Sequence, residues 1–195
     1  MVLVVGASGA TGRLVVEDLL KRNKEVKVVV RSLNNLPKSF ENNKNLTIIQ
    51  GTILSFNDDE LQEILKDCDV VVSCLGHNMT FKGIYGKPRR LVKDTIIRLS
   101  LAIEYNKPST PIKLILMNTT GNSNRNIVEP ISFSQNCVIS LIRFLLPPHV
   151  DNEEASDYLR TKFALDNKTI QWVAVRPDGL THEEEVSPYE IHVSP

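Results

Sequence analysis

The chain has 195 residues, and its 23 Lys and Arg are balanced by 23 Asp and Glu, so the formal net charge is zero. This length predicts a single domain, 1–195, and a hydrophobic content of 42% suffices to fill a core without disulfides or structural metals. The balanced charge argues against nucleic-acid and membrane partners, because binding to phosphates needs a concentrated excess of basic residues. No metal site is predicted, since no Cys-x-x-Cys or His-x-x-x-His spacing occurs.

The cysteines and the start of the chain indicate the cellular compartment in which the protein resides. Cys68 and Cys74 flank one predicted strand and therefore lie too far apart for a disulfide, and Cys137 makes the count odd. The apolar start Met1–Val5 lacks the basic flank of a signal peptide, and no apolar run approaches the ~20 residues of a membrane span. We therefore expect a reducing, cytoplasmic location.

Short β-branched runs alternate with segments of helical length, which predicts an α/β fold: a doubly wound parallel sheet in three layers, with helices on both faces. In chain order, the predicted strands are Val2–Val5, Val26–Val30, Leu46–Ile49, Val70–Ser73, Ile112–Met117 and Ile170–Val175. The predicted helices are Thr11–Arg22, Asp58–Lys66, Arg89–Tyr105, Ser134–Leu146 and Asp151–Asp166. Two long polar loops, Leu75–Pro88 and Asn118–Ser132, follow strands and should lie at the carboxyl edge of the sheet, where such folds bind ligands. The tail 178–195 has extended-type sequence without a closing helix, and we expect it to be incomplete.

A glycine-rich turn joins the first predicted strand to the first helix. It consists of Gly6, Ala7, Ser8, Gly9, Ala10, Thr11 and Gly12. Glycines in such a turn let the backbone approach a pyrophosphate, and the start of the helix offers free N–H donors. A nucleoside-triphosphate loop would need Gly-Lys-Ser/Thr at the start of the helix, and Gly12-Arg13-Leu14 does not supply it. The turn therefore predicts a dinucleotide site.

The end of the second strand predicts which dinucleotide binds. NAD sites usually place an acidic residue there to hold the ribose 2′-hydroxyl, whereas this chain has Arg31 followed by Ser32. A guanidinium group can bind a 2′-phosphate through two parallel hydrogen bonds. NADP is thus predicted in preference to NAD.

These motifs resemble the atypical branch of the short-chain dehydrogenase/reductase superfamily, the NmrA-like and flavin-reductase-like proteins that bind NAD(P)H. The matching segments are Gly6–Gly12, Val30-Arg31, Val72–Gly76 and Trp172–Pro177. The resemblance implies a Rossmann-like NAD(P)-binding fold with Leu75 and Gly76 along the adenosine half of the cofactor. It also implies a contact near the adenine from Thr52 and Ile53, although Thr52 replaces the aspartate usual in the family.

Catalytic candidates follow from the same resemblance and from placement in the predicted fold. Thr119 and Thr120 match the Ser/Thr position after the fifth strand, and His149 at the start of a helix could donate a proton. Tyr158 and Lys162 have the superfamily's Tyr-x-x-x-Lys spacing, but at 1.5 Å per residue Lys162 falls near the opposite edge of the sheet. We therefore disfavour that pair.

Three functions remain open at this stage. The first is an NADPH-dependent oxidoreductase that acts on a small organic acceptor. The second is a redox-sensing regulator that binds NADP without chemistry and acts through a protein partner. The third is an enzyme similar to the NAD-dependent epimerases and dehydratases.

Overall fold

A computed structural model describes residues 1–40, 42–78, 80–123, 125, 132–163, 167–178, 180 and 186–192. The strands in this part of the chain are β1 (Val2–Val5), β2 (Val26–Val30), β3 (Leu46–Gln50), β4 (Val70–Ser73), β5 (Ile112–Met117) and β6 (Ile170–Val175). The helices are α1 (Ala10–Lys21), α2 (Asp58–Leu65), α3 (Phe81–Tyr85), α4 (Leu91–Asn106), α5 (Phe133–Leu145) and α6 (Pro147–Lys162). Two 3₁₀ turns, Leu33–Asn35 and Lys38–Phe40, follow β2.

All six strands pair in parallel in one sheet of order β3-β2-β1-β4-β5-β6. The prediction of a doubly wound parallel sheet is confirmed. Val5 at the end of β1 is level with Val29 of β2 on one side and Ser73 of β4 on the other. The strand order reverses at β1, so the loops after β1 and β4 diverge there and leave a crevice at the carboxyl edge.

Apolar residues fill both faces of the sheet, which gives the predicted three layers. On one face, Leu3 of β1 and Leu114 of β5 belong to a fully buried cluster with residues of α2, α4 and α6. On the other face, Val4 and Val28 pack with Val16 of α1. Successive strand residues point to opposite faces, so adjacent valines and leucines pack against different helical layers.

The structure differs from the predicted elements mainly at two places, the loop after β4 and the helix α6. The short helix α3 lies inside the predicted loop Leu75–Pro88, where Thr80 caps it by accepting from the Gly83 N–H. Helix α6 begins at Pro147 and not at Asp151, because prolines are tolerated in a first turn whose N–H groups need no helical partner. It ends at Lys162, where Phe163 is extended, and not at Asp166. Half of the predicted tail 178–195 lies outside the described residues, as does part of the loop Asn118–Ser132.

The three cysteines are free thiols: Cys68 is buried, Cys74 is half-buried and Cys137 is exposed. Burial raises the pKa of the Cys74 thiol to about 11, so it remains protonated at neutral pH. Within the part of the chain that is described, no helix has both the length and the apolar character needed to cross a membrane.

Candidate functional site

The glycine turn after β1 is closed so tightly that side chains are excluded at two positions. Gly6 has a φ of +83°, and a Cβ there would lie 2.6 Å from the Cys74 carbonyl carbon and oxygen at the end of β4. A Cβ on Gly12 would lie 2.2 Å from the Gly6 carbonyl oxygen. The backbones of β1, α1 and the segment after β4 therefore meet at this turn, and only glycine permits their approach.

The same turn leaves backbone donors available at the start of α1. Gly9 is the N-cap residue, and its carbonyl oxygen accepts the first helical hydrogen bond from the Arg13 N–H at 3.0 Å. The N–H groups of residues 10–12 precede that bond and have no helical acceptor. They form a cradle for an anion, and the positive end of the helix dipole adds to it. The other motif side chains differ in burial: Ala7 is buried, Thr11 is half-buried, and Ser8 and Ala10 are exposed.

Arg31 lies at the level of this turn. Val29 is in register with Val5, so Arg31, two residues later, stands beside the start of the turn at the carboxyl end of β2. Its side chain is exposed and makes no ion pair with any residue that the structure describes. The hydroxyl of Ser32 forms no capping bond to the 3₁₀ turn that follows. A cation and a hydroxyl are thus available next to the cradle.

The residues expected near the adenine differ in whether they have structural partners or border open space. The Thr52 hydroxyl hydrogen-bonds Ser55 Oγ at 2.9 Å within a local turn. The side chain of Ile53 is buried, and its carbonyl oxygen accepts from Arg98 Nη1 at 3.1 Å. Leu75 packs against the core, whereas Gly76 is exposed and would have no described atom within 4 Å of an added Cβ. Gly76 therefore borders open space after β4, while Thr52 and Ile53 have structural partners.

Thr119 and His149 are brought together at the end of β5. Both contact the position that a Cβ on Gly121 would occupy: the Thr119 hydroxyl oxygen at 3.7 Å and His149 Cε1 at 2.8 Å. Asn118 holds this arrangement, because its amide donates to the Asn152 carbonyl oxygen of α6 at 3.0 Å and its Oδ1 accepts from the Thr119 N–H. Thr120 is exposed beside them. The start of α6 is thereby attached to the carboxyl end of β5.

Tyr158 and Lys162 have other partners. The Tyr158 ring packs edge-on against Phe163 with ring centroids 6.1 Å apart, and burial raises the pKa of its phenol. Lys162 Nζ lies 4.0 Å from a Glu104 carboxylate oxygen on α4. A phenol with a raised pKa is the opposite of the activated phenol that the Tyr-x-x-x-Lys mechanism needs.

A buried ion pair that the sequence did not predict joins α6, the start of α4 and the segment after β4. Asp151 of α6 accepts from His77 Nε2 at 2.8 Å, from the Val92 N–H at 2.8 Å and from the Lys93 N–H at 3.0 Å. The N-cap residue of α4, Arg90, forms no capping bond of its own, so Asp151 caps that helix from outside. His77 and Asp151 are 74 residues apart, and no local pattern relates them.

His77 should make the stability of the protein depend on pH. Its Nδ1 faces the Gly83 carbonyl oxygen at 3.1 Å and its Nε2 faces the carboxylate, so both nitrogens need protons and the pKa of the ring is raised above 6.5. The stabilisation is therefore complete below pH 6.5 and is lost as the pH rises through the raised pKa. In urea titrations across this range, the free energy of unfolding should fall with pH more steeply for the wild type than for His77→Gln. Parallel curves would contradict the expectation.

A doubly wound sheet with a glycine cradle at its switch point defines a dinucleotide-binding Rossmann fold. The comparison with known families agrees with this class. The chain belongs to the NAD(P)H-binding family, whose model matches residues 6–194. It thus has an NAD(P)H-binding fold of the oxidoreductase type, and the resemblance to atypical short-chain dehydrogenases/reductases is confirmed.

Individual relatives match over limited lengths. The chain is 35% identical over 82 residues to the chloroplastic divinyl chlorophyllide a 8-vinyl-reductase of Arabidopsis thaliana. The match covers 38% of this chain and 20% of that protein. The match to a second chloroplastic protein of Arabidopsis thaliana, which is uncharacterised, also covers only 26% of the relative. The chain therefore matches about a quarter or less of these curated relatives.

Solved structures share the fold. The Bordetella bronchiseptica enzyme WbmH in complex with NAD⁺ superposes with a TM-score of 0.64 at 16% identity, over 96% of this chain and 58% of that one. A Rossmann-fold NAD(P)-binding family protein from Shigella flexneri superposes with a TM-score of 0.60 at 20% identity, over 95% and 70% of the two chains.

Proposed function

We propose that the protein is an NADPH-dependent oxidoreductase that reduces a small organic acceptor at the carboxyl edge of the sheet. The observation that carries the proposal is Arg31, an exposed cation without a described ion-pair partner, level with the glycine cradle. An acidic residue at this point would repel a 2′-phosphate, whereas a guanidinium group binds it.

The residues of the chain fit this cofactor in three places. The N–H groups of residues 10–12 would hold the pyrophosphate, at a turn whose close backbone packing requires glycine at positions 6 and 12. Arg31 and Ser32 would hold the 2′-phosphate. The nicotinamide, which supplies the hydride when the cofactor is bound, would extend toward Thr119, where an acceptor can enter.

Replacing Arg31 by Ala should remove most of the preference for NADPH. A hydrogen bond to a charged group contributes roughly 1.5–3 kcal/mol, so NADPH affinity should fall about ten- to hundredfold while NADH affinity changes little. Calorimetric titration of both nucleotides measures the effect. Arg22→Ala is the matched control, because Arg22 is an exposed arginine paired with Asp18 at the far end of α1.

Two results would contradict this prediction. Equal losses of NADPH and NADH affinity in Arg31→Ala would indicate a general effect on the site and not recognition of the 2′-phosphate. A loss in Arg22→Ala as large as that in Arg31→Ala would indicate that surface charge alone is responsible. If the wild type binds neither nucleotide, the proposed function itself is wrong.

The placement of Tyr158 and Lys162 favours one alternative, a redox-sensing regulator that binds NADP without turnover and acts through a protein partner. Neither side chain is arranged as the superfamily's proton donor. NADPH oxidation in the presence of quinone, flavin and carbonyl acceptors separates the two functions. Tight binding without turnover, together with recovery of a partner that depends on NADP, would favour the regulator.

A further inference from the structure

We propose that Glu153, clamped by Arg143, is a positioning residue that holds His149 so that its Nδ1 delivers the proton in the reduction. This inference rests on the proposed function and adds to it the acid and the acceptor class. The acceptor would be a carbonyl or quinone whose oxygen becomes a hydroxyl group.

The clamp consists of two side chains from different helices. Arg143 of α5 donates from Nε to both carboxylate oxygens of Glu153, at 3.1 and 2.9 Å, and from Nη2 to Oε1 at 2.8 Å. The Glu153 side chain is 5% exposed, so its charge is buried against the guanidinium group. A bidentate pair of this kind fixes the orientation of the carboxylate as well as its charge.

His149 lies one turn earlier on α6, beside this fixed carboxylate. Its Nε2 is 3.4 Å from Glu153 Oε1, and it is a buried nitrogen without a hydrogen-bond partner among the described residues. A buried N–H without an acceptor is costly, so a small approach of the ring to the carboxylate is favourable. With the Nε2 proton directed at Glu153, Nδ1 is the ring nitrogen that remains for a substrate.

The ring is also held from the side of β5. His149 Nδ1 lies 3.6 Å from the position of a Cβ on Gly121, and the Thr119 hydroxyl oxygen lies 3.7 Å from the same point. The imidazole and the hydroxyl therefore converge at the carboxyl end of β5. Both groups can donate hydrogen bonds, and the proposal places the acceptor oxygen between them.

The step would start from the imidazolium form of His149, which carries protons on both ring nitrogens. The carbonyl carbon would receive the hydride that bound NADPH supplies, the C=O π bond would open toward oxygen, and the oxygen would take the Nδ1 proton, which leaves neutral His149 with its proton on Nε2. The Thr119 hydroxyl would stabilise the developing negative charge by a hydrogen bond. The imidazole would then take up a proton from the solvent, so the net reaction consumes NADPH, the carbonyl compound and one proton.

The test compares Glu153→Gln with Glu154→Gln, a neighbouring substitution with the same change of charge whose native partners are Lys93 and Arg90. Turnover is measured with NADPH and 9,10-phenanthrenequinone, and ¹⁵N NMR of the histidine rings, assigned with His149→Gln, reports the tautomer. In the wild type, the neutral form of His149 should carry its proton on Nε2. Glu153→Gln should keep its NADPH affinity and the acceptor KM, lose about ten- to hundredfold in kcat, and show mixed tautomers. His149→Gln should lose roughly 10²–10⁴-fold in kcat.

Three outcomes would overturn the inference. Glu153→Gln could match Glu154→Gln in kcat, its His149 tautomer could be unchanged, or the wild type could bind NADPH but reduce neither this quinone nor other carbonyl probes. The first two outcomes, with wild-type turnover intact, remove only the inference, whereas the third also favours the regulator over the oxidoreductase. Failure to bind NADPH would instead remove the proposed function, so the two failures are distinguishable.

Discussion

Replacing Asp151 by Ala is expected to lower the free energy of unfolding by about 3–5 kcal/mol, because a buried charge and two helical N–H groups lose their partner together. His77 would lose the carboxylate that raises its pKa, and the Val92 and Lys93 N–H groups at the start of α4 would be uncapped. Urea denaturation followed by circular dichroism measures the change. A loss of this size is a large fraction of the total stability of a domain.

Asp58→Ala provides the control for this prediction. Asp58 also forms an ion pair, with Arg98 at 2.9 Å, but its side chain is 87% exposed and its loss should cost no more than about 1 kcal/mol. If Asp151→Ala is as stable as Asp58→Ala, the three bonds to Asp151 do not hold the helices together. If Asp151→Ala is too unstable to isolate, Asp151→Asn, which keeps one acceptor oxygen, should unfold at an intermediate urea concentration.

Replacing Gly6 by Ala is the second substitution with a large expected effect. An alanine must adopt a positive φ there, and its Cβ would lie 2.6 Å from the backbone of Cys74, which cannot move without displacing β4. The strain of the left-handed conformation and the overpacking together should cost about 3 kcal/mol or more. Nucleotide binding should be lost with it, because relieving the clash opens the cradle.

Gly76→Ala separates this effect from a general sensitivity to glycine substitution. Gly76 follows β4 in the same region, yet an added Cβ would meet no described atom within 4 Å. The free energy of unfolding of this variant, measured by urea denaturation, should lie within about 1 kcal/mol of the wild-type value. Normal stability and nucleotide affinity in Gly6→Ala would contradict the closed geometry of the turn.

The elements of the fold were predictable because their signals are local. All six strands lie within one residue of their predicted ends, since continuous β-branched runs such as Val70–Ser73 have few other structures open to them. The start of α6 was predicted four residues late, because Pro147 and Pro148 resemble a loop in sequence although they fit the first turn of a helix. The five-residue α3 was missed since its length is too short for an apolar period to be recognised.

Part of the candidate site was also predictable from local signals, and part was not. The placement of the glycine turn beside Arg31 was predictable because both adjoin a strand end and parallel strands bring their carboxyl ends to one edge, while their roles in binding stay predictions. The placement of His149 and Thr119 beside Gly121 could not be derived, since it depends on how α6 packs at the end of β5. The predicted roles of Thr52 and Ile53 stay predictions.

The sequence by itself determined the parallel α/β architecture, the dinucleotide cradle and the cation beside it, because hydrophobic periodicity and glycine spacing act over a few residues. Only the tertiary structure decided which polar side chains pair: His77 with Asp151 across 74 residues, and the clamp of Arg143 on Glu153. Such pairs form where packing removes at least one of the two groups from water, and burial of that kind is a property of the assembled layers.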